Sequence, residues 1–155
     1  MNLGKLVFGK RPQTARLRLA EIRTPPSDAV WRYVRAKADQ GAVRAHCAEA
    51  DVSVETSGGK LNARGGEDMI VTHEDGARAV VRADIFQRTY APLSDGLFRK
   101  RGDVTFRYFT LDHNVGVHTI EGVQEARPGD WIMQGVDGEL WPVPRASALE
   151  KYDPV

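Results

Sequence analysis

One cysteine, Cys47, among 155 residues excludes an intrachain disulfide and a cysteine-based zinc cage, since each needs at least two thiols. A reducing, cytoplasmic setting is the expectation. Long apolar runs are missing too: nothing approaches the roughly 20 residues that cross a bilayer, so no membrane partner is expected. The opening stretch, MNLGKLVFGKRPQ, holds a three-residue apolar patch between lysines. A secretory signal needs roughly 7–15 such residues. No Gly-x-Ser-x-Gly elbow, Walker loop, dinucleotide fingerprint or zinc-protease helix is present. The reading therefore leans away from an enzyme and names no cofactor and no catalytic residue.

Net charge is only +1, yet its distribution is uneven. Residues 1–46 hold ten Lys/Arg (Lys5, Lys10, Arg11, Arg16, Arg18, Arg23, Arg32, Arg35, Lys37, Arg44) against three acids (Glu21, Asp28, Asp39). The remainder carries 12 basic and 18 acidic groups. Such a split fits a nucleic-acid-facing segment. It equally fits a basic third docked on an acidic remainder, within one chain or across a homodimer.

The segment from Arg44 to Pro92 reappears from Arg107 to Pro154. At an offset of 63, Arg44, Val52, Val54, Thr56, Gly59, Ala63, Arg64 and Gly66 match Arg107, Val115, Val117, Thr119, Gly122, Ala126, Arg127 and Gly129. Glu67 is one extra residue. Beyond it, at an offset of 62, Asp68, Ile70, Asp75, Gly76, Val81, Tyr90 and Pro92 match Asp130, Ile132, Asp137, Gly138, Val143, Tyr152 and Pro154. These matches are too many and too evenly registered for chance, and they read as an internal duplication.

The matched residues carry structure. Asp75-Gly76 and Asp137-Gly138 stand between apolar-rich runs, and Asp-Gly is a strong hairpin signal. The flanking strands are Asp68 to Thr72 with Arg78 to Arg82, and Asp130 to Gln134 with Leu140 to Pro144. Val52 and Val54, like Val115 and Val117, alternate along an earlier strand, and Gly58-Gly59 and Glu121-Gly122 mark its turn. Asp84 to Thr89 and Ser147 to Lys151 read as short helices ended by Tyr-x-Pro. Ile70 and Ile132 share a face with the matched aspartates, while Met69 and Val71, or Trp131 and Met133, take the other, so these strands should be buried on both sides. Pro142 and Pro144 place their strand at an outer edge.

The expected fold is mainly β with some α: two tandem small SH3-like antiparallel barrels or rolled sheets, related by pseudo-twofold symmetry. The first repeat spans residues 1–93 and the second 94–155, packed as one folding unit, because cores of this size are marginal alone. Ahead of the repeat, Ser27 follows two prolines and precedes the stripe Ala29, Val30, Trp31, Val34, Ala38, which predicts an amphipathic helix over 28–40. Thr14 to Leu19 alternates as a half-buried strand. It offers a second alignment, with Val104 to Phe109, since Phe8, Lys10 and Arg11 echo Phe98, Lys100 and Arg101; the helix is then an insertion.

The run Pro128-Gly129-Asp130-Trp131-Ile132, with Gly138-Glu139, Trp141-Pro142 and Tyr152-Asp153-Pro154, resembles small bacterial and phage proteins named for a Pro-Gly-Asp-Tyr-Gly motif. Gly66-Glu67-Asp68-Met69-Ile70 through Tyr90-Ala91-Pro92 is a second copy that lacks the proline. Trp131 stands at the tyrosine position. The resemblance implies a small fold and a phage or mobile-element association, and carries no catalytic residue over.

Three groups of side chains invite chemistry. His46, His73, His113 and His118 do not keep matched ligands in the other copy, so no metal site is assigned. Asp68 and Asp130 suit either a paired acid and base at the seam or carboxylates that accept backbone N–H groups in their turns. Trp131 and Trp141, with Phe106, Tyr108 and Phe109 and the cations Arg99, Lys100, Arg101 and Arg107, fit a stacking surface for single strands. They also fit core filler. The function read from all this is a non-catalytic protein-binding or assembly module with its partner along the inter-repeat groove. Nucleic-acid binding by the basic amino-terminal third is the alternative, and a small enzyme with an inter-repeat carboxylate site comes after it.

Overall fold

Five-residue runs of alternating burial, separated by Gly-containing turns, make the described residues mainly β, with two short helices among them. The computed structural model describes residues 19–37, 40–56 and 58–155. In chain order the elements are β1 (Glu21–Ile22), β2 (Arg32–Ala36), β3 (Val43–Cys47), β4 (Val52–Thr56), β5 (Gly59–Ala63), β6 (Asp68–Thr72), β7 (Arg78–Arg82), α1 (Ala83–Thr89), β8 (Tyr90–Ser94), β9 (Leu97–Lys100), β10 (Thr105–Phe109), β11 (Val115–Thr119), β12 (Gly122–Ala126), β13 (Trp131–Gln134), β14 (Leu140–Val143), α2 (Arg145–Lys151) and β15 (Tyr152–Pro154).

Two five-stranded sheets dominate, in the orders β7-β6-β3-β9-β8 and β14-β13-β10-β2-β15. A β4-β5 hairpin and a three-stranded β1-β11-β12 sheet complete the fold. Every pairing is antiparallel except that of β1 with β11. Among the described residues no sheet closes into a barrel, and no helix is long and apolar enough to cross a membrane.

The two large sheets exchange strands. β2 lies between β10 and β15, whereas β9 lies between β3 and β8. Val34 of β2 faces Phe106 and Pro154, and Phe98 of β9 faces Val43 and Pro92. The two strands thus hold the same place in different sheets. The bonds that follow them correspond as well: Lys37 N–H donates to Lys151 O at 2.9 Å, and Arg101 N–H donates to Thr89 O at 2.8 Å.

The helix expected over 28–40 does not form. Residues 32–36 are strand β2, residues 27–28 are a turn, and residues 38–39 lie outside the described residues. Val34 and Ala36 are buried two apart, at 2% and 3% exposure. That is a strand period, and it wins because β2 gains a ladder on both edges, which no local helical stripe offers. The strand expected over Thr14 to Leu19 lies outside the described residues apart from Leu19, which is in no strand. The place that the second alignment assigns to it, equivalent to that of β10, is held by β3: Val43 faces Phe98 as Phe106 faces Val34.

The Asp-Gly hairpins sit where the turn residues put them. His73 N–H donates to Ala77 O at 2.8 Å, and Gly135 N–H to Glu139 O at 2.9 Å. Each bracket encloses three residues ending in a glycine with positive φ, 89° at Gly76 and 83° at Gly138, a conformation that strains any residue with a Cβ. Beyond them, β6 and β13 are buried on both faces. Ile70 and Val71 sit in different apolar clusters, as do Ile132 and Met133. β14, carrying Pro142, is an outer strand, and Pro92 and Pro154 lie in the outer strands β8 and β15. Proline there closes an edge to further pairing.

Candidate functional site

The β4-β5 and β11-β12 hairpins have the same turn chemistry. Thr56 Oγ1 donates to Gly59 O at 2.5 Å, and Thr119 Oγ1 to Gly122 O at 2.6 Å. Each hydroxyl in turn accepts a backbone N–H, from Gly58 at 3.3 Å and Glu121 at 3.2 Å. The hairpins meet where Asn62 N–H donates to Glu121 O at 3.2 Å. Beside that bond lies a groove of about 750 Å³, lined by Asp51–Ser53, Asn62–Arg64 and His118–Val123. Its walls are mixed polar and apolar, and its two valines, Val52 and Val123, are 46% and 44% exposed.

Glu121 is the chemically unusual group here. Burial, then the charge of Asp68 and that of Glu139, push its carboxyl up to about 7, with Arg82 opposing. Asp68 is 1% exposed. Its Oδ2 accepts Arg64 N–H at 2.8 Å, and its buried Oδ1 has no hydrogen-bond partner among the described residues. The matched Asp130 accepts Arg127 N–H at 2.9 Å on Oδ2 and Arg145 N–H at 3.3 Å on Oδ1. The inserted Glu67 accounts for the difference. Its carbonyl takes the Ala83 N–H at 2.9 Å, the donor equivalent to Arg145 N–H, and so Asp68 Oδ1 is left alone. Each aspartate is thus held by its own turn, and no hydrogen bond joins the two carboxylates.

The other residues singled out from the sequence scatter. Trp131 is 7% exposed and stacked on Tyr108, with centroids 3.8 Å apart and planes 3° from parallel; it offers no free face on that side. Trp141 packs edge-on against Phe106 at 5.9 Å. Arg107 lies over Trp31 at 3.8 Å and donates to Gln134 Oε1 at 2.6 Å. Arg101 pairs with Asp103 at 2.7 Å, and Arg99 is exposed. Asp75 Oδ1 accepts Ala77 N–H within its own turn at 2.9 Å. Asp137 instead reaches across, binding Arg82 and, at 2.8 Å, Arg88.

Lys100 marks the seam between the large sheets. Its ammonium lies 5.1–5.9 Å from the ring centres of Tyr90, Phe106, Trp141 and Tyr152 and donates to Tyr152 Oη at 2.8 Å. Tyr90 belongs to one sheet, and the other three rings to its neighbour. Burial opposes the charge, but the phenol oxygens of Tyr152 and Tyr90 more than offset it, and Lys100 is held above the ordinary lysine range. His73 is pushed down by burial and by the Lys151 and Lys100 ammoniums.

Neither Glu121 nor the enclosure of Lys100 stood out in the sequence. Glu121 reads as an ordinary turn residue beside Gly122, and its burial comes from β5, far away in the chain. The spacing Phe98-x-Lys100 does place Lys100 on the inward face of its strand. Among the described residues no three His, Cys, Asp or Glu side chains converge on one point. No family model matches the chain, and no curated protein or solved structure does.

Proposed function

We propose that the chain is a non-catalytic protein-binding module of two duplicated SH3-like rolled sheets, akin to the Pro-Gly-Asp-Tyr-Gly proteins, and that its partner lies in the groove between the β4-β5 and β11-β12 hairpins. The carrying observation is that two large, exposed apolar residues, Val52 and Val123, one from each hairpin, line this one groove. Equivalent strand registers and turn glycines support the duplication. A library of random peptides selected on the purified protein tests the reading. Binders should lose at least about tenfold, or 1.4 kcal/mol, on Val52→Glu or Val123→Glu. Selected peptides that bind both variants as well as the parent would end it.

A second reading, nucleic-acid binding, has its own observation. At the end of the first large sheet beyond the Ile70 cluster, the register sets Arg78 beside Thr72, Thr72 beside Arg44, and Arg44 beside Leu97, with Arg99 two residues further along β9. All three arginines are exposed, and none lies within 4 Å of a carboxylate among the described residues. Of the basic amino-terminal third, Lys5, Lys10, Arg11, Arg16 and Arg18 lie outside the described residues. With three phosphates engaged, affinity for a labelled single strand should fall about 20-fold between 50 and 200 mM salt, and Arg44→Glu should flatten that slope. An affinity indifferent to salt removes this reading.

A further inference from the structure

The two small hairpins differ at their outer edges. In the second half, β1 adds in parallel to β11, with Glu21 beside Gly116 and Ile22 beside Val117, and Gly116 N–H donates to Ala20 O at 2.7 Å. In the first half the matched residues are Ser53 and Val54 of β4, and among the described residues nothing pairs with that edge. Exposure follows: Val115 is 0% exposed, and its counterpart Val52 is 46% exposed. The cores beneath differ in the same sense. Phe109, Val115, Val117, Ala126, Ile132 and Leu140 are covered by Ile22, Ala29 and Trp31. Ala48, Val54, Leu61, Ala63, Ile70 and Val80 have no such cover among the described residues.

Resting on the protein-binding reading above, we infer that the outer edge of β4 accepts an extended segment of a protein partner as a parallel strand, in the register β1 uses on β11. Strand addition uses main-chain hydrogen bonds for affinity and side-chain pockets for choice. Here Ser53 N–H is the outward donor, as Gly116 N–H is on β11. The side chains define the partner. A Cβ at Gly116 would lie 3.2 Å from Glu21 Cγ and from Val123 Cγ1, so the glutamate would have to shift by a few tenths of an ångström, and β11 takes glutamate opposite most readily because residue 116 is glycine. Ser53 has a Cβ and a hydroxyl, and a small residue, Gly or Ala, is therefore favoured at the opposing position of its occupant. The next residue should be β-branched and apolar, as Ile22 is over Val117, with an aromatic side chain following at the distance of Trp31 from Ile22.

The probe is a synthetic peptide of residues 19–31 carrying Glu21→Ala, titrated into the intact protein and followed by backbone amide shifts and amide hydrogen exchange. Shifts at residues 52–55 with slowed exchange at Ser53 are the expected result, and the peptide that retains glutamate should bind at least tenfold more weakly. Ser53→Pro removes the outward N–H, a change tolerated at a strand edge, and should abolish binding with spectra elsewhere unchanged. If that variant fails to fold, Val52→Lys should weaken binding tenfold. Equal binding by the parent and these variants, shifts only at residues 116–117, or a Ser53 amide already protected without peptide would overturn the inference. Shifts confined to residues 118–123 would overturn strand addition and leave the groove reading standing.

Discussion

Lys100→Glu is expected to cost about 3–5 kcal/mol of stability, as an unpaired charge introduced into a closed site does, while Lys100→Met should stay within about 1.5 kcal/mol of the parent. The contrast follows from what surrounds the ammonium. The rings of Tyr90, Phe106 and Trp141 present negative potential to it, each worth about 0.5–2 kcal/mol, and Tyr152 Oη accepts its hydrogen bond at 2.8 Å. No carboxylate lies within 4 Å of it among the described residues. A glutamate would turn the ring contacts repulsive, and the one hydrogen bond that Tyr152 Oη–H could donate to it does not offset the cost of enclosing a carboxylate there; because the rings come from both large sheets the damage falls on the seam. Methionine keeps the length and the apolar packing; it loses the bond to Tyr152 and the attraction to the rings, but it also removes the cost of desolvating a charge. Urea midpoints of the three proteins check this. If methionine costs as much as glutamate, packing volume rather than charge holds the seam.

Glu121 should make the fold more stable in mild acid than at slightly basic pH, by an amount on the order of 2 kcal/mol. Its carboxyl is raised from 4.5 to about 7, through burial first and the Asp68 and Glu139 charges next. The folded state therefore holds the proton more tightly than the unfolded chain does. That contribution is complete below about pH 4.5 and is lost as pH rises through about 7, where the folded state must carry a desolvated anion beside Asp68. Glu121→Gln keeps the shape and cannot ionise, so the stability that the parent loses as pH rises through this window should not be lost by the variant, which should exceed the parent at about pH 8. Denaturant midpoints at three pH values in that window decide it, and parallel profiles for the two proteins would refute it.

Much of the architecture is written in short spacings. Asp75-Gly76 and Asp137-Gly138 specify hairpins because a glycine at positive φ is needed where the chain reverses, and both glycines adopt it at matched positions. Two-sided apolar runs announce the buried strands β6 and β13. Pro142 forbids an inner place for β14. In each case the deciding contact is a few residues away or the deciding property is intrinsic to one residue. Residues 28–40 are different. Ala29, Val30, Trp31, Val34 and Ala38 satisfy a helical period, and Val34 with Ala36 satisfies a strand period, so local pattern alone cannot choose. Phe106 and Tyr152, which pair with Val34 and Ala36, make the choice from more than seventy residues away.

The carboxylates follow the same division. Asp68 and Asp130 belong to equivalent turns, and the extra Glu67 is visible in the sequence, but that its carbonyl would take the donor that satisfies the other aspartate emerges only when Ala83 is placed. The raised carboxyl of Glu121 depends on β5 and Asp68 arriving from another part of the chain. Strand period, turn residues and edge prolines, set by local sterics and backbone donors, were thus the sequence's own determination. Which sheet receives β2 and which receives β9, and where Lys100 and Glu121 are half-buried, was decided by tertiary structure alone, because burial and ladder partners belong to the assembled surface and not to any segment by itself.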